Sequence, residues 1–106
     1  MTRLQVHQPL QLNIIAERLA ELGHPTRLSI FKFLVKHGKS GVSVGNIQQE
    51  IKIPGSTLSH HIAKMIKDGL ISQVRESRTL YCFPKFDALN EVISFLQDEC
   101  CINQSS

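Results

Sequence analysis

The stretch Val44-Gly45-Asn46-Ile47-Gln48-Gln49-Glu50-Ile51-Lys52-Ile53-Pro54-Gly55-Ser56-Thr57-Leu58-Ser59-His60-His61-Ile62-Ala63-Lys64-Met65-Ile66-Lys67-Asp68-Gly69-Leu70 reads as two helices with different tasks. Ser43 is placed to N-cap the first, whose Val44, Ile47 and Ile51 form a narrow apolar face. Lys52 and Ile53 make the turn. The second helix is expected to begin near Pro54, whose fixed φ suits a first-turn position. Its Leu58, Ile62, Met65 and Ile66 recur at helical spacing, so that stripe is expected to face the core. Ser56, His60, Lys64 and Lys67 lie opposite, with Thr57, Ser59 and His61 on the flanks. Two helices joined by a short turn, the second polar outside, are the layout of a helix-turn-helix unit. Short donors at a helix N-terminus suit phosphates and base edges in a DNA groove. An ordinary solvated surface has a similar composition, so this face alone leaves both readings open.

The residues that follow favour the groove reading. Asp68-Gly69-Leu70 ends the helix with a glycine suited to a left-handed position. Leu70 to Val74 and Leu80 to Phe83 then read as two short strands joined through Arg75-Glu76-Ser77-Arg78-Thr79. A hairpin with a basic tip, attached directly to such a helix, makes a wing. Arg75 and Arg78 are its candidates for a flanking phosphate or the minor groove. By itself the tip is equally a plain surface hairpin.

Around this centre, Leu10 to Leu22 carries Leu12, Ile15, Leu19 and Leu22 at amphipathic spacing and is expected to be a first helix. Gly23-His24-Pro25 breaks it. A second helix is expected from Pro25 or Thr26 to His37-Gly38, with Leu28, Phe31, Leu34 and Val35 facing inward. Lys39-Ser40-Gly41 reads as a loop, and a last helix is expected from about Phe86 to Glu99. Its Leu89, Val92, Ile93, Phe95 and Leu96 occupy more than one stripe, so it needs two partners: its own domain and, with help from the first helix, a second copy. A monomer that buries everything internally is the alternative. The expected fold is mainly α with a small β-hairpin wing, a winged helix-turn-helix in the order α-α-α-α-β-β-α, dimeric. Residues 1–9 are expected to form a flexible N-terminal arm, 10–101 one winged helix-turn-helix DNA-binding and dimerisation domain, and 102–106 a C-terminal tail.

Composition agrees with a small regulatory domain. With 106 residues the core is modest, and dimerisation would enlarge it. No apolar run approaches the roughly 18 residues of a membrane span, and no signal peptide is visible, so a cytoplasmic location with reduced thiols is expected. Residues 1 to 79 hold eleven Lys or Arg against five Asp or Glu, a net +6; residues 80 to 106 hold one against four, a net −3. A basic body with an acidic end suits one surface placed on a polyanion with the last helix held away from it. No Ser-His-Asp spacing, phosphate loop or paired-carboxylate pocket stands out, so an enzyme is not expected.

Taken together, Leu22-Gly23-His24-Pro25-Thr26-Arg27-Leu28-Ser29-Ile30, Ser56-Thr57-Leu58-Ser59-His60-His61-Ile62 and Asp68-Gly69-Leu70-Ile71 resemble the ArsR family of winged-helix metalloregulatory repressors, over about residues 12 to 101. The resemblance implies a homodimer with four helices, a two-stranded wing and a fifth helix, bound to an inverted-repeat operator until an inducer releases it. Each protomer would place Pro54 to Lys67 in a major groove, with half-sites about one helical turn apart.

Two of the family's inducer sites are missing. Where its arsenic box has two cysteines, this chain has Ser43-Val44-Gly45-Asn46, and the last helix has no histidine for the zinc-type site. His7, His24, His37, His60 and His61 all lie elsewhere. Asp98-Glu99-Cys100-Cys101 resembles the Asn-Cys-Cys ending of an arsenite-responsive subgroup. Trivalent arsenic or antimony is soft and prefers thiolate sulfur, which makes arsenite or antimonite the implied inducer, with no obligatory cofactor. Cys82 is the remaining cysteine and a candidate third ligand. A helix of about 14 residues places it roughly 20 Å from Cys100 in one chain, so it would have to come from a partner. A redox or persulfide sensor on the same sulfurs is the rival, although Asp98, Glu99 and the negative helix end should raise the thiol pKa and weaken it. Idle thiols, and a winged helix used only for protein contacts, complete the alternatives.

Overall fold

Helix boundaries follow local chemistry throughout the computed structural model, which describes residues 9–98. Helix α1 (Pro9–Leu22) runs into the Gly23-His24-Pro25 break, and α2 (Pro25–Lys36) begins with proline in its first turn. His24 caps α2: its backbone is extended and its Nδ1 accepts the Thr26 N–H at 3.1 Å. After a 3-10 turn at Gly38–Ser40 and strand β1 (Val42–Ser43), Ser43 caps α3 (Val44–Ile51) by accepting the Asn46 N–H at 3.1 Å. Helix α4 (Gly55–Lys67), strands β2 (Ile71–Glu76) and β3 (Thr79–Pro84), and α5 (Phe86–Gln97) complete the order.

Three details correct the sequence expectations. Pro54 is the N-cap of α4, with φ −58° and ψ 146°, and the helix begins at Gly55. The sheet has three strands in the order β1-β3-β2: Val42 pairs with Cys82 and Ser43 with Tyr81, where only a loop and a cap were expected. The wing itself is longer and tighter than expected, since Arg75 pairs with Leu80 and Glu76 with Thr79, leaving a two-residue turn at Ser77-Arg78 with Ser77 at φ 60°.

The core joins α2, α3, α4 and the sheet. Ile30, Leu34, Ile47, Leu58, Met65, Leu70, Ile71 and Cys82 are its fully buried side chains. On α4, Leu58, Ile62 and Met65 face inward as the spacing requires, but Ile66 is exposed and His61 is buried in its stead. On α2, Ile30 is buried and Leu28 is not. Gly41 has φ 80°, and a Cβ there would stand 2.5 Å from the Phe83 ring, so both backbone and space demand glycine.

Helices α1 and α5 pack on each other, joined by an ion pair of 2.7 Å between Arg18 Nη1 and Glu91 Oε1. Of the apolar residues of α1, Ile15 is buried, whereas Leu10, Leu12, Ile14 and Leu19 are exposed; on α5, Ala88 and Val92 are buried, whereas Ile93 and Leu96 are exposed. Among the described residues no helix is long and apolar enough to cross a membrane.

Candidate nucleic-acid interface

The polar side of α4 is set by how its other side is held. With Leu58, Ile62 and Met65 locked in the core, Ser56, Thr57, Ser59, His60 and Lys67 are exposed. The first intrahelical bond is donated by Leu58 to the Pro54 carbonyl at 3.0 Å, and Pro54 supplies no side-chain cap. The amides of the first turn therefore point out of the helix without an internal acceptor. The turn before α4 is pinned from α3: Gln48 Nε2 donates to the Ile53 carbonyl at 3.3 Å, and the Lys52 N–H to the Gln48 carbonyl at 2.8 Å. Lys52 closes α3 in the left-handed region, φ 62°, and its side chain is exposed beside the start of α4. It is a cation of this surface that the periodicity of neither helix could have found. On the wing, Arg75 and Arg78 are exposed, as is Glu76 between them.

His61 corrects the expected contact set. It is 8% exposed, its ring centroid is 5.0 Å from that of His24, and its Nδ1 lies 3.4 Å from Arg27 Nη1. Burial, followed by the His24, Arg27 and His60 charges, pushes its pKa below the ordinary imidazole value. It is a neutral ring at the junction of α1, α2 and α4, turned away from solvent.

Lys64 is exposed but engaged. Its ammonium is 3.0 Å from Glu21 Oε2 at the end of α1 and 3.9 Å from Asp68 Oδ2. Glu21, only 4% exposed, also stands 2.8 Å from Arg27 Nε, which donates to the Glu21 backbone carbonyl at 2.9 Å. Burial pushes the Glu21 carboxyl up, but hydrogen bonds from Lys64 and Asp68 and the Arg27 charge outweigh it and hold the group below its ordinary range. Asp68 moves the other way, through its own burial and the neighbouring Glu21 carboxylate.

Cys82 also departs from expectation. It is fully buried in β3, receives a hydrogen bond from Gln73 Nε2 at 3.5 Å, and has its thiol pKa pushed up by burial. It is a core residue with no exposed sulfur for an inducer. Cys100 and Cys101 lie outside the described residues. Among the described residues no three His, Cys, Asp or Glu side chains are grouped to hold a metal ion.

An exposed polar helix on a buried apolar base, preceded by a short turn and followed by a basic hairpin, defines a winged helix-turn-helix protein. A helix-turn-helix domain family model matches residues 22–74. The chain is 33% identical to the HTH-type transcriptional regulator YgaV of Escherichia coli, over 86% of this chain and 94% of that protein. The crystal structure of the transcriptional repressor PagR of Bacillus anthracis superposes with a TM-score of 0.69 at 30% identity, over 84% of this chain and 99% of that one. An ArsR family transcriptional regulator superposes at 0.71 with 21% identity, over 92% and 95% of the two chains, a likeness of fold. The chain belongs to the helix-turn-helix domain family of that model, and its likeness to ArsR family regulators is one of fold.

Proposed function

We propose that this protein is a transcriptional repressor that binds an inverted-repeat DNA operator as a homodimer. The observation that carries the reading is the outward row Ser56, Thr57, Ser59, His60 and Lys67 on a helix whose opposite side is locked in the core, with Arg75 and Arg78 on the adjoining wing. The row supplies donors and a cation for a major groove, and the wing arginines supply phosphate contacts alongside. The exposed apolar residues of α1 and α5 supply the surface for a second copy.

Release is assigned to arsenite or antimonite at the thiols of Cys100 and Cys101, which follow α5 in sequence. Neutral arsenous acid exchanges hydroxide for thiol with loss of water, so the acidic Asp98-Glu99 neighbours hinder it less than they hinder thiolate oxidation. Two sulfurs leave a third position for water or a small thiol, because the buried Cys82 is withdrawn from the set.

The test is fluorescence anisotropy on duplexes selected from a random-sequence library, using reduced protein and its Cys100→Ser/Cys101→Ser variant under anaerobic conditions. Both proteins should bind one preferred sequence with strong salt dependence, and arsenite should release only the unmodified one. Release of the unmodified protein by a persulfide or oxidant, with no response to arsenite, would transfer the inducer assignment to sulfur chemistry. Absence of sequence-selective binding would overturn the repressor reading in favour of a protein-contact module.

A further inference from the structure

We propose that Glu21 is a positioning residue for DNA reading: it sets the angle of α4 through Lys64, which serves as an anchor to α1 and not as a phosphate ligand. The inference rests on α4 being the DNA-reading helix, as argued above. From sequence, Lys64 belongs with Lys67 on the polar face, and nothing in its spacing separates the two. The structure does. Lys64 Nζ is 3.0 Å from a carboxylate whose side chain is only 5% exposed, while Lys67 has no ion pair among the described residues.

An ion pair between two solvated side chains contributes little and fixes nothing. This one differs on the Glu21 side. A carboxylate withdrawn from water depends on the cations beside it: Lys64 holds Oε2 at 3.0 Å, while Oε1, 2.8 Å from Arg27 Nε, has no hydrogen bond and is held by charge alone. Those partners come from three places. Arg27 is on α2, and Lys64 is on α4. The third, Asp68, immediately follows α4 and faces the same Lys64 ammonium at 3.9 Å. One turn earlier on α1, Arg18 reaches α5 through Glu91 at 2.7 Å and lies against Gly69, the left-handed residue that ends α4. Helix α1 thus ties the carboxyl half of the reading helix to the face on which α1 and α5 leave apolar residues exposed. A shift of that face would reach α4 through the Glu21–Lys64 ion pair and the Arg18 contact with Gly69, with Arg18–Glu91 holding α1 to α5.

A phosphate ligand and an anchor make different predictions for Lys64. Removing the cation from a phosphate lowers the slope of log affinity against log salt by about 0.9 for each phosphate left without its partner. Removing an anchor weakens binding and leaves that slope unchanged. The experiment measures affinity for the selected duplex over a range of salt for the full-length protein, Lys64→Met, Lys64→Arg, Glu21→Gln, the Glu21→Gln/Lys64→Met double variant and Lys67→Gln, with thermal unfolding of each. Lys64→Met should bind about tenfold more weakly at unchanged slope, and Lys64→Arg should recover most of the loss. The double variant should bind no more weakly than Glu21→Gln alone, because both changes break the same ion pair. Lys67→Gln should lower the slope.

A slope lowered by Lys64→Met as much as by Lys67→Gln would overturn the proposal, as would unchanged affinity accompanied only by a lower unfolding temperature. Lys64 is half-exposed, so its variants test the idea even if Glu21→Gln does not fold. If the unmodified protein binds no duplex selectively, the repressor reading fails and takes this proposal with it. If it binds but Lys64 behaves as a phosphate ligand, only the proposal fails.

Discussion

At the scale of single residues, His61 turns a feature expected to face DNA into a pH-dependent element of the core. Buried beside His24 and Arg27, it has a folded-state pKa below the ordinary 6.5. The unfolded chain therefore binds its proton more readily. Stability is full above about 6.5 and is lost as pH falls through the depressed folded value. His61→Gln, neutral at every pH, should lose stability at pH 7.5 yet show a flatter decline between pH 7 and 5 in urea unfolding. An equally steep acid limb would assign the decline to other groups. Gly41 makes a second residue-scale prediction. With φ 80° and the Phe83 ring 2.5 Å from where a Cβ would sit, Gly41→Ala should destabilise by about 1 to 3 kcal/mol. Adding Phe83→Leu should return the steric part of that loss and leave the backbone part, which urea midpoints of the three variants would separate.

At the scale of elements, the helices were legible because breaks and caps are spelled out locally: Pro25 after His24, Ser43 before Val44, Gly69 after Asp68. Strand β1 was not, since a two-residue strand has no period to detect and exists only through pairing with Cys82 and Tyr81 of β3. The outward face of α4 was legible in outline and wrong at one edge, for a geometric reason. At about 100° per residue, Ile62, Met65, His61 and Ile66 fall roughly 40°, −20°, −60° and 80° from Leu58. The buried arc runs from His61 to Ile62, so Ile66 lies outside it. A hydrophobicity reading prefers isoleucine to histidine and shifts the arc by a residue. The Glu21 ion pairs with Arg27 and Lys64 were illegible because they join residues that no local pattern relates. The wing carries an element-scale prediction. Arg75→Gln and Arg78→Gln should each lower the salt slope of DNA binding, by about 0.9 per phosphate contact, while unfolding temperature stays constant. Glu76→Gln, removing the only carboxylate of the tip, should tighten binding of every sequence alike. A change in sequence preference on either arginine substitution would instead place that side chain in a groove, reading base edges.

For the whole molecule the decisive quantity is what covers α1 and α5. The chain is elongated, 55 × 26 × 24 Å, and it leaves Leu10 (72% exposed), Leu96 (60%) and Ile93 (43%) to solvent on two helices that pack together. Scattered single residues would need no explanation, but apolar residues on two adjoining helices are the composition of an interface. The proposed dimer also gives the charge distribution a purpose. In that dimer the acidic residues of α5, Asp87 and Glu91, would lie toward the joint between copies, leaving the basic body, with α4 and the wing, for DNA. Ile93→Lys/Leu96→Lys places two cations in that joint without touching a buried residue of the protomer, so helix content and the unfolding of the isolated chain should change little. Burying those ammonium groups against apolar partners should weaken self-association at least about 30-fold, the scale of an interface hot spot. Sedimentation should then show a monomer where the unmodified protein is a dimer. Because each copy would read one half-site of the proposed operator, the monomer should retain weak, salt-dependent binding to a single half-site and lose the advantage conferred by the second. If the variant still sediments as a dimer, the copies meet elsewhere. In that case the Arg18–Glu91 contact would tie α1 only to α5 of the same chain, and the route from the thiols proposed to bind the inducer to the reading helix would lie entirely within one protomer.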